Sequence, residues 1–460
     1  IRRPPRSTLD RSSAASDVYK RQTGDHQNTL NVSSLFNAWL KYQQAHLDSF
    51  IHRSKEYLVN RTLKIGLGDE TFLSFLDRTN PALQQKRIEN LKKVSKHHPY
   101  SIVFTFRTLH FIDWFVPIHH ALDRLYPGKY SIIYLDYATT LRRILSGFEY
   151  LRYREQVHSR LLSFGIDPIN HYSHEELRSY DFQPNWAVGL TSESIRQENL
   201  SIPNRIYLPH YSLPKAVDKD LPENINFGHV FLPTKERYSY PNLRLNEPQK
   251  KIEIHPVGYP KEGLKVSQIK SFPNSSKPLI VYAPSLDIAL LKKAIREGII
   301  NVFKNNPQWN FLVKLHPSLE SRRHYISGFF RDQLSEYKHI VFDSLSNINS
   351  FFDEATAVIC DFGSVGGEFS LQTGKRMIYL KVSKQYKGGG DLNFRDDYAD
   401  TVSSIQELPV NINKVLRLDP RNPIELEQIR KTVLTCSSNS DEKAATSINA
   451  LISKHQKVIS

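Results

Sequence analysis

Two cysteines, one methionine and no long apolar run: the shortages of this 460-residue chain narrow its class before any motif is considered. Cys360 and Cys436 are too few for a disulfide framework, and Cys360 lies inside an apolar strand pattern. A reducing, cytoplasmic compartment is therefore the expectation. No stretch approaches the ~18 consecutive apolar residues of a membrane-spanning helix. Zinc-finger spacing and long runs of consecutive basic residues are missing, which argues against nucleic acid as a partner. There is no repeat of fixed period and no low-complexity tract. Neither a Walker loop nor the G-x-G-x-x-G fingerprint occurs.

What is present is a globular composition, 39% hydrophobic and 11% aromatic, at a length that predicts two domains or more. The formal net charge is +15, which suits anionic partners such as phosphorylated substrates or an anionic membrane face. Part of that charge sits in Ile1–Gln22, an aperiodic segment rich in Arg, Ser and Pro. The segment resembles translated adapter sequence. With Ile1 at the start and Met377 as the only methionine, we expect a fragment or a misread frame at this end, and fold reasoning excludes the segment.

Along the rest of the chain, residues 23–98 read as helical. Two α/β alternations follow. The first covers 99–262, with apolar strand patterns at Ser101–Phe106, Tyr130–Asp136, Ala187–Leu190, Arg205–Leu208, Val230–Leu232 and Ile252–Ile254. A polar linker at 263–277 contains Pro273-Asn274-Ser275-Ser276. The second alternation covers 278–435, and 436–460 reads as a terminal helix. Strand–helix alternation of this kind predicts two successive parallel sheets with a cleft between them.

The chemistry concentrates in Asn310–Val382, where strand patterns end on useful side chains. Asn310–Leu315 runs into His316-Pro317, with Lys314 two residues earlier; His339–Phe342 runs into Asp343-Ser344. Ala357–Cys360 runs into Asp361-Phe362-Gly363-Ser364-Val365-Gly366-Gly367-Glu368. Ligands of open parallel sheets bind at the carboxyl ends of strands. A helix starting at about Val365 would point free N–H groups at the same place, an arrangement suited to phosphate. A tight strand-to-helix turn with Ser364 as N-cap explains the same letters. A histidine at a strand end can hydrogen-bond or neutralise a diphosphate; His210, closing Arg205–Pro209, suits either a general base on the wall of a cleft or, more commonly for a lone histidine, a structural role. Asp218-Lys219-Asp220 reads as a solvated turn, and His171 with His174 lacks the context of a metal site. Arg142, Arg143, Tyr150, Tyr153 and Arg154 make a basic, aromatic helix that suits either solvent or an anionic surface.

Taken in order, Val281-Tyr282-Ala283-Pro284-Ser285, Lys314-Leu315-His316-Pro317 and Asp361-Phe362-Gly363-Ser364 with Glu368 and Gly374-Lys375 resemble the CDP-glycerol glycerophosphotransferase family, the teichoic acid polymerases and primases. Val257-Gly258-Tyr259-Pro260 is similar to that family's Gly-x-Pro segment between the sheets. The similarity spans roughly 185–385. It implies a GT-B fold: two Rossmann-like domains facing a cleft, the second holding the nucleotide. It implies transfer of a polyol phosphate from a CDP-alcohol to a hydroxyl of a lipid-linked or glycan acceptor in cell-envelope polymer synthesis, with release of CMP. His210 and His316 would be catalytic. Pro284, Ser285, Lys314, Asp361, Gly363, Ser364 and Glu368 would bind nucleotide and diphosphate. No metal and no cofactor beyond the donor is expected, and the protein would work in the cytoplasm or on the inner face of the plasma membrane. Two positions differ from the family's usual pattern: His210-Tyr211 replaces His-Gly, and Asp361-Phe362-Gly363-Ser364 replaces Asp-x-Ser-Ser. The Ser-x-Gly-Gly-Glu run is also similar to UDP-N-acetylglucosamine 2-epimerases, so a UDP-sugar enzyme and an inactive GT-B scaffold stand as alternatives.

Overall fold

A computed structural model describes residues 81–97, 101–106, 109–136, 147–173, 177, 186–191, 202–209, 228–233, 253–264, 276–316, 319, 324–342, 348–361, 363–381 and 399–459. They belong to one compact unit. His210, Pro317, Asp343, Ser344, Phe362, His174 and the Asp218–Asp220 turn lie outside the described residues.

The first sheet has seven strands: β1 (Ser101–Phe106), β2 (Ser131–Asp136), β3 (His171–Ser173), β4 (Trp186–Thr191), β5 (Asn204–Tyr207), β6 (His229–Phe231) and β7 (Glu253–His255). Their order is β3-β2-β1-β4-β5-β6-β7, and every pairing is parallel. The second sheet has six: β8 (Leu279–Tyr282), β9 (Asn310–Val313), β10 (Ile340–Phe342), β11 (Ala355–Cys360), β12 (Met377–Leu380) and β13 (Ala399–Val402). Their order is β10-β9-β8-β11-β12-β13, again all parallel.

Central strands such as Ile102-Val103-Phe104 and Ile280-Val281-Tyr282 are buried on both faces. That explains why the sequence shows unbroken apolar runs rather than alternation. Helices cover the faces: α1 (Pro81–His97), α2 (Ile112–Leu125) and α3 (Gly147–Ser163) in the first domain. The second carries α4 (Ile288–Arg296), α5 (Ile299–Lys304), α6 (His324–Leu334), α7 (Val365–Thr373), α8 (Leu408–Leu416) and α9 (Pro423–Val433). The stretch after β8 folds as two helices, α4 and α5, broken at Gly298, whose φ of 97° only glycine adopts at ease. Phe104 of β1 stacks on Phe115 of α2 at 5.0 Å, and Tyr282 of β8 meets Phe303 of α5 at 5.3 Å. Four elements were not legible in the sequence: β3, β13, α8 and the full extent of α3, in which Arg154 is buried rather than solvated. His171 sits in a strand after all.

Two segments tie the domains together. Val257–Leu264 leaves β7 through Gly258 and a 3-10 turn at Pro260–Gly263. The last helix, α10 (Ser440–Ile459), returns from the second domain to the first. There Glu442 accepts from Arg124 of α2 at 2.8 Å, and Asn449 accepts from Lys129 at 2.8 Å. Gly258 lets these segments cross closely. Its φ is 82°, its N–H donates to Thr435 Oγ1 at 2.9 Å, and a Cβ there would sit 2.6 Å from the Cys436 carbonyl oxygen. No described helix is long and apolar enough to cross a membrane.

Candidate functional site

Each sheet reverses its winding once. In the second, the chain lays β9 and β10 on one side of β8, then returns to place β11, β12 and β13 on the other. The loops after β8 and β11 therefore diverge and leave a crevice at their carboxyl ends, where doubly wound sheets take ligands. Ala283-Pro284-Ser285 and Asp361-x-Gly363-Ser364 are those two loops.

They are fastened to each other. The Ser285 backbone N–H donates to Asp361 Oδ1 at 2.7 Å, and a Cβ on Gly363 would lie 3.9 Å from Ser285. Asp361 is buried, while Ser285, Gly363 and Ser364 are partly exposed. Helix α7 starts at Val365, so its first N–H groups open onto this crevice. Its packing is tight: a Cβ on Gly366 would strike Cys360 Sγ and lie 2.9 Å from Met377 Sδ. The small residues of this run thus let the helix end approach the strands.

Ser364 occupies the N-cap position but makes no cap. Its backbone is helical, and its hydroxyl donates to Glu368 Oε1 at 2.9 Å. Glu368 in turn accepts from Lys261 Nζ at 2.8 Å, with both side chains at most 9% exposed. Burial alone would raise the Glu368 pKa. The Lys261 charge, with hydrogen bonds from Lys261 and Ser364, outweighs it and holds the carboxyl below its ordinary value.

Lys261 belongs to the crossover turn, so this pair joins the domains. On the far side stands Asp113, in the first turn of α2, held by Arg160 of α3 at 2.7 Å to both carboxylate oxygens. Burial raises the Asp113 pKa, and the Arg160 and Lys261 charges offset only part of that rise. Lys261 thus pairs with Glu368, and its charge is also felt at Asp113. Trp114 packs edge-on against Tyr259 at 4.9 Å beside them.

His316 follows β9 and is half-buried. Across from it stands His110, in the 3-10 turn Leu109–Phe111 that follows β1. Their ring centroids are 6.4 Å apart at 69°. The carboxyl ends of the two sheets therefore face each other, and one histidine from each domain meets at the boundary. Lys314, between β9 and His316, is buried, and its N–H extends the β8 pairing by donating to the Tyr282 carbonyl at 2.9 Å. The described structure thus brings together Pro284, Ser285, Asp361, Gly363, Ser364 and Glu368, with Lys314 and His316 on the next strand.

His110, Asp113, Arg160 and Lys261 lie outside the sequence motifs and join the site only in three dimensions. One signal for His110 was available: it follows an apolar strand and precedes a helix, as the second-domain site residues do. The other three carry no local signature, because their partners are 47 and 107 residues away in the chain.

Neither a protein family nor a curated protein sequence matches this chain. Solved structures do. The S. aureus MnaA–UDP co-structure is similar with a TM-score of 0.50 and 12% identity, over 78% of this chain and 97% of that one. The UDP-GlcNAc 2-epimerase from Neisseria meningitidis bound to UDP-GlcNAc gives 0.48 and 13%, over 77% and 100%. The glycotransferase of kitacinnamycin gives 0.41 and 10%, over 78% and 99%. At such identities the likeness concerns fold alone, and the first of these carries it: the chain has the GT-B arrangement of two Rossmann-like domains facing a cleft.

Proposed function

We propose that this protein is a GT-B enzyme whose second domain binds a nucleoside-diphosphate-activated substrate, with a UDP-sugar as the first candidate. The observation that carries the reading is the fastened crevice at the β8/β11 reversal, opening beside a histidine pair contributed by both domains. In this reading, Ser285, Gly363 and the start of α7 receive the diphosphate through backbone N–H groups. His316 adds a hydrogen bond or a charge to it. Asp361 and Glu368 act as positioning residues: the first locks the two loops, and the second anchors α7 to the crossover turn. A carboxylate so committed to Lys261 serves the diphosphate indirectly. His110 reaches the same place from the first domain and is the candidate acid or base there. His210 retains the role of acceptor-side base as a proposal only.

The uridine preference is supported by the UDP named for the S. aureus structure above. A second reading, a CDP-polyol phosphotransferase with a lipid-linked or glycan acceptor, rests on the ordered motifs from Val281 to Lys375. The net charge of +15 suits an anionic donor in both readings and an anionic membrane face in the second.

Calorimetric titration with UDP, UDP-GlcNAc, CMP and CDP-glycerol separates them. We expect saturable uridine nucleotide binding that weakens at least tenfold in His316→Ala. Cytidine binding without uridine binding would transfer the assignment to the second reading. Absence of binding by all four would overturn both.

A further inference from the structure

The far edge of the first sheet carries a second group of ligating side chains that the proposed reaction does not use. Strands β6 and β7 are the last two of that sheet, with β7 at its edge. Their register pairs His229 with Glu253 and Phe231 with His255. Alternation along each strand places His229, Glu253 and His255 on one face.

The distances are those of a chelate. His229 Nδ1 lies 3.2 Å from His255 Nε2 and 3.6 Å from Glu253 Oε2, and one ligand atom from each of the three lies within 4.8 Å of the others. Two ligands held about 2.0–2.1 Å from a tetrahedral zinc ion stand about 3.3 Å apart. Two imidazoles and one carboxylate also match zinc's ligand preference, and three protein ligands leave the fourth position to water.

The plainer account is a pair of neutral imidazoles sharing one proton, with Glu253 paired to a lysine. That lysine, Lys454 of α10, is a loose partner: 3.9 Å away, with its side chain 75% exposed. Lys454 is the cation that a bound metal would have to displace. The Phe231 ring, 5.5 Å from His255, closes one side of the group.

We propose that His229, Glu253 and His255 form a zinc site that clips the edge strand β7 to β6. Two strands, β4 and β5, separate β6 from β1, and three inter-strand spacings amount to roughly 14 Å, so the site is distinct from the cleft. Its place matters because the chain leaves β7 directly into the crossover turn carrying Gly258 and Lys261. A cation here would hold the edge of the sheet from which the interdomain segment departs, and would guard an open edge against fraying.

The test uses the full chain, stripped with EDTA and titrated with zinc by calorimetry, with cobalt as a spectroscopic stand-in. The expected result is zinc binding at micromolar or tighter affinity, visible cobalt bands of a four-coordinate site, and a rise in melting temperature on zinc addition. Zinc affinity should fall at least tenfold in His255→Ala and in Glu253→Gln, and the four-coordinate bands should be lost. Glu253 is half-exposed, so its variant carries the test if the histidine variant does not fold. Wild-type protein without micromolar zinc binding would overturn the proposal. So would unchanged zinc binding in the variants, which would put the ion on other histidines.

Discussion

Replacing Lys261 by Met tests whether the Lys261–Glu368 pair joins the two domains. At 2.8 Å and an effective dielectric constant of about 20, the gross attraction is about 6 kcal/mol. Desolvating two ions costs several kcal/mol each, so the intact pair contributes little net stability. Its loss is another matter. The variant leaves Glu368 buried without its cation and facing the like charge of Asp113, and breaking such a pair costs ~3–5 kcal/mol. We expect a fall in melting temperature on the order of 10 °C at pH 7. Chemical denaturation of Lys261→Met, Glu368→Leu and the double variant completes the cycle. The double variant should recover most of the loss, because it buries no unpaired charge.

The pH dependence of the same pair has a defined sign. In the wild type the Glu368 pKa is depressed, so its stabilisation is present above the unfolded carboxylate value of about 4.3 and fades as pH falls through the folded one. In Lys261→Met burial is opposed only by the hydrogen bonds from Ser364 and Tyr259, and the folded pKa moves above the unfolded one. The variant should then regain stability as pH is lowered through that raised value. A change within ~0.5 kcal/mol at pH 7, as for an ordinary surface substitution, or a pH slope equal to the wild type's, would show that the pair does not hold the domains together.

Other outcomes follow from single contacts. Gly258→Ala combines a φ of 82° with a Cβ 2.6 Å from a backbone oxygen, so it should cost upward of ~2 kcal/mol and loosen α10, read as faster amide exchange there. Gly366→Ala pushes α7 off Cys360 and Met377 and should cost ~1–3 kcal/mol in denaturant titration, with weaker nucleotide binding as the helix start shifts. His110→Ala should leave nucleotide affinity within about threefold while lowering turnover by roughly 10²-fold or more, as expected for a lost acid or base. Equal turnover would remove His110 from the chemistry.

The fold was largely legible because a parallel sheet buries both faces of its strands, and unbroken runs such as Ile102–Phe104 and Val358–Cys360 have no other common explanation. The short strand His171–Ser173 was not, because it lies between polar neighbours and gains its burial from α1 and β2. The same contrast runs through the site. Strand-end loops are local, so Pro284-Ser285, His316 and Asp361–Glu368 could be picked out by position. What each side chain does was not local. Glu368 reads as a ligand for phosphate until Lys261, more than a hundred residues away, occupies its carboxylate.

Two features were already written in the linear order of residues: the class of fold, and the glycines that let backbone segments come close. Hydrophobic period and turn chemistry are properties of neighbouring residues, so they survive in one dimension. The tertiary structure alone decided the partners: His110 opposite His316, Lys261 with Glu368, and His229 with Glu253 and His255 at the sheet edge. Those choices depend on strand order and on how two domains meet, and a charge or an imidazole in a sequence carries no mark of what will lie 3 Å from it.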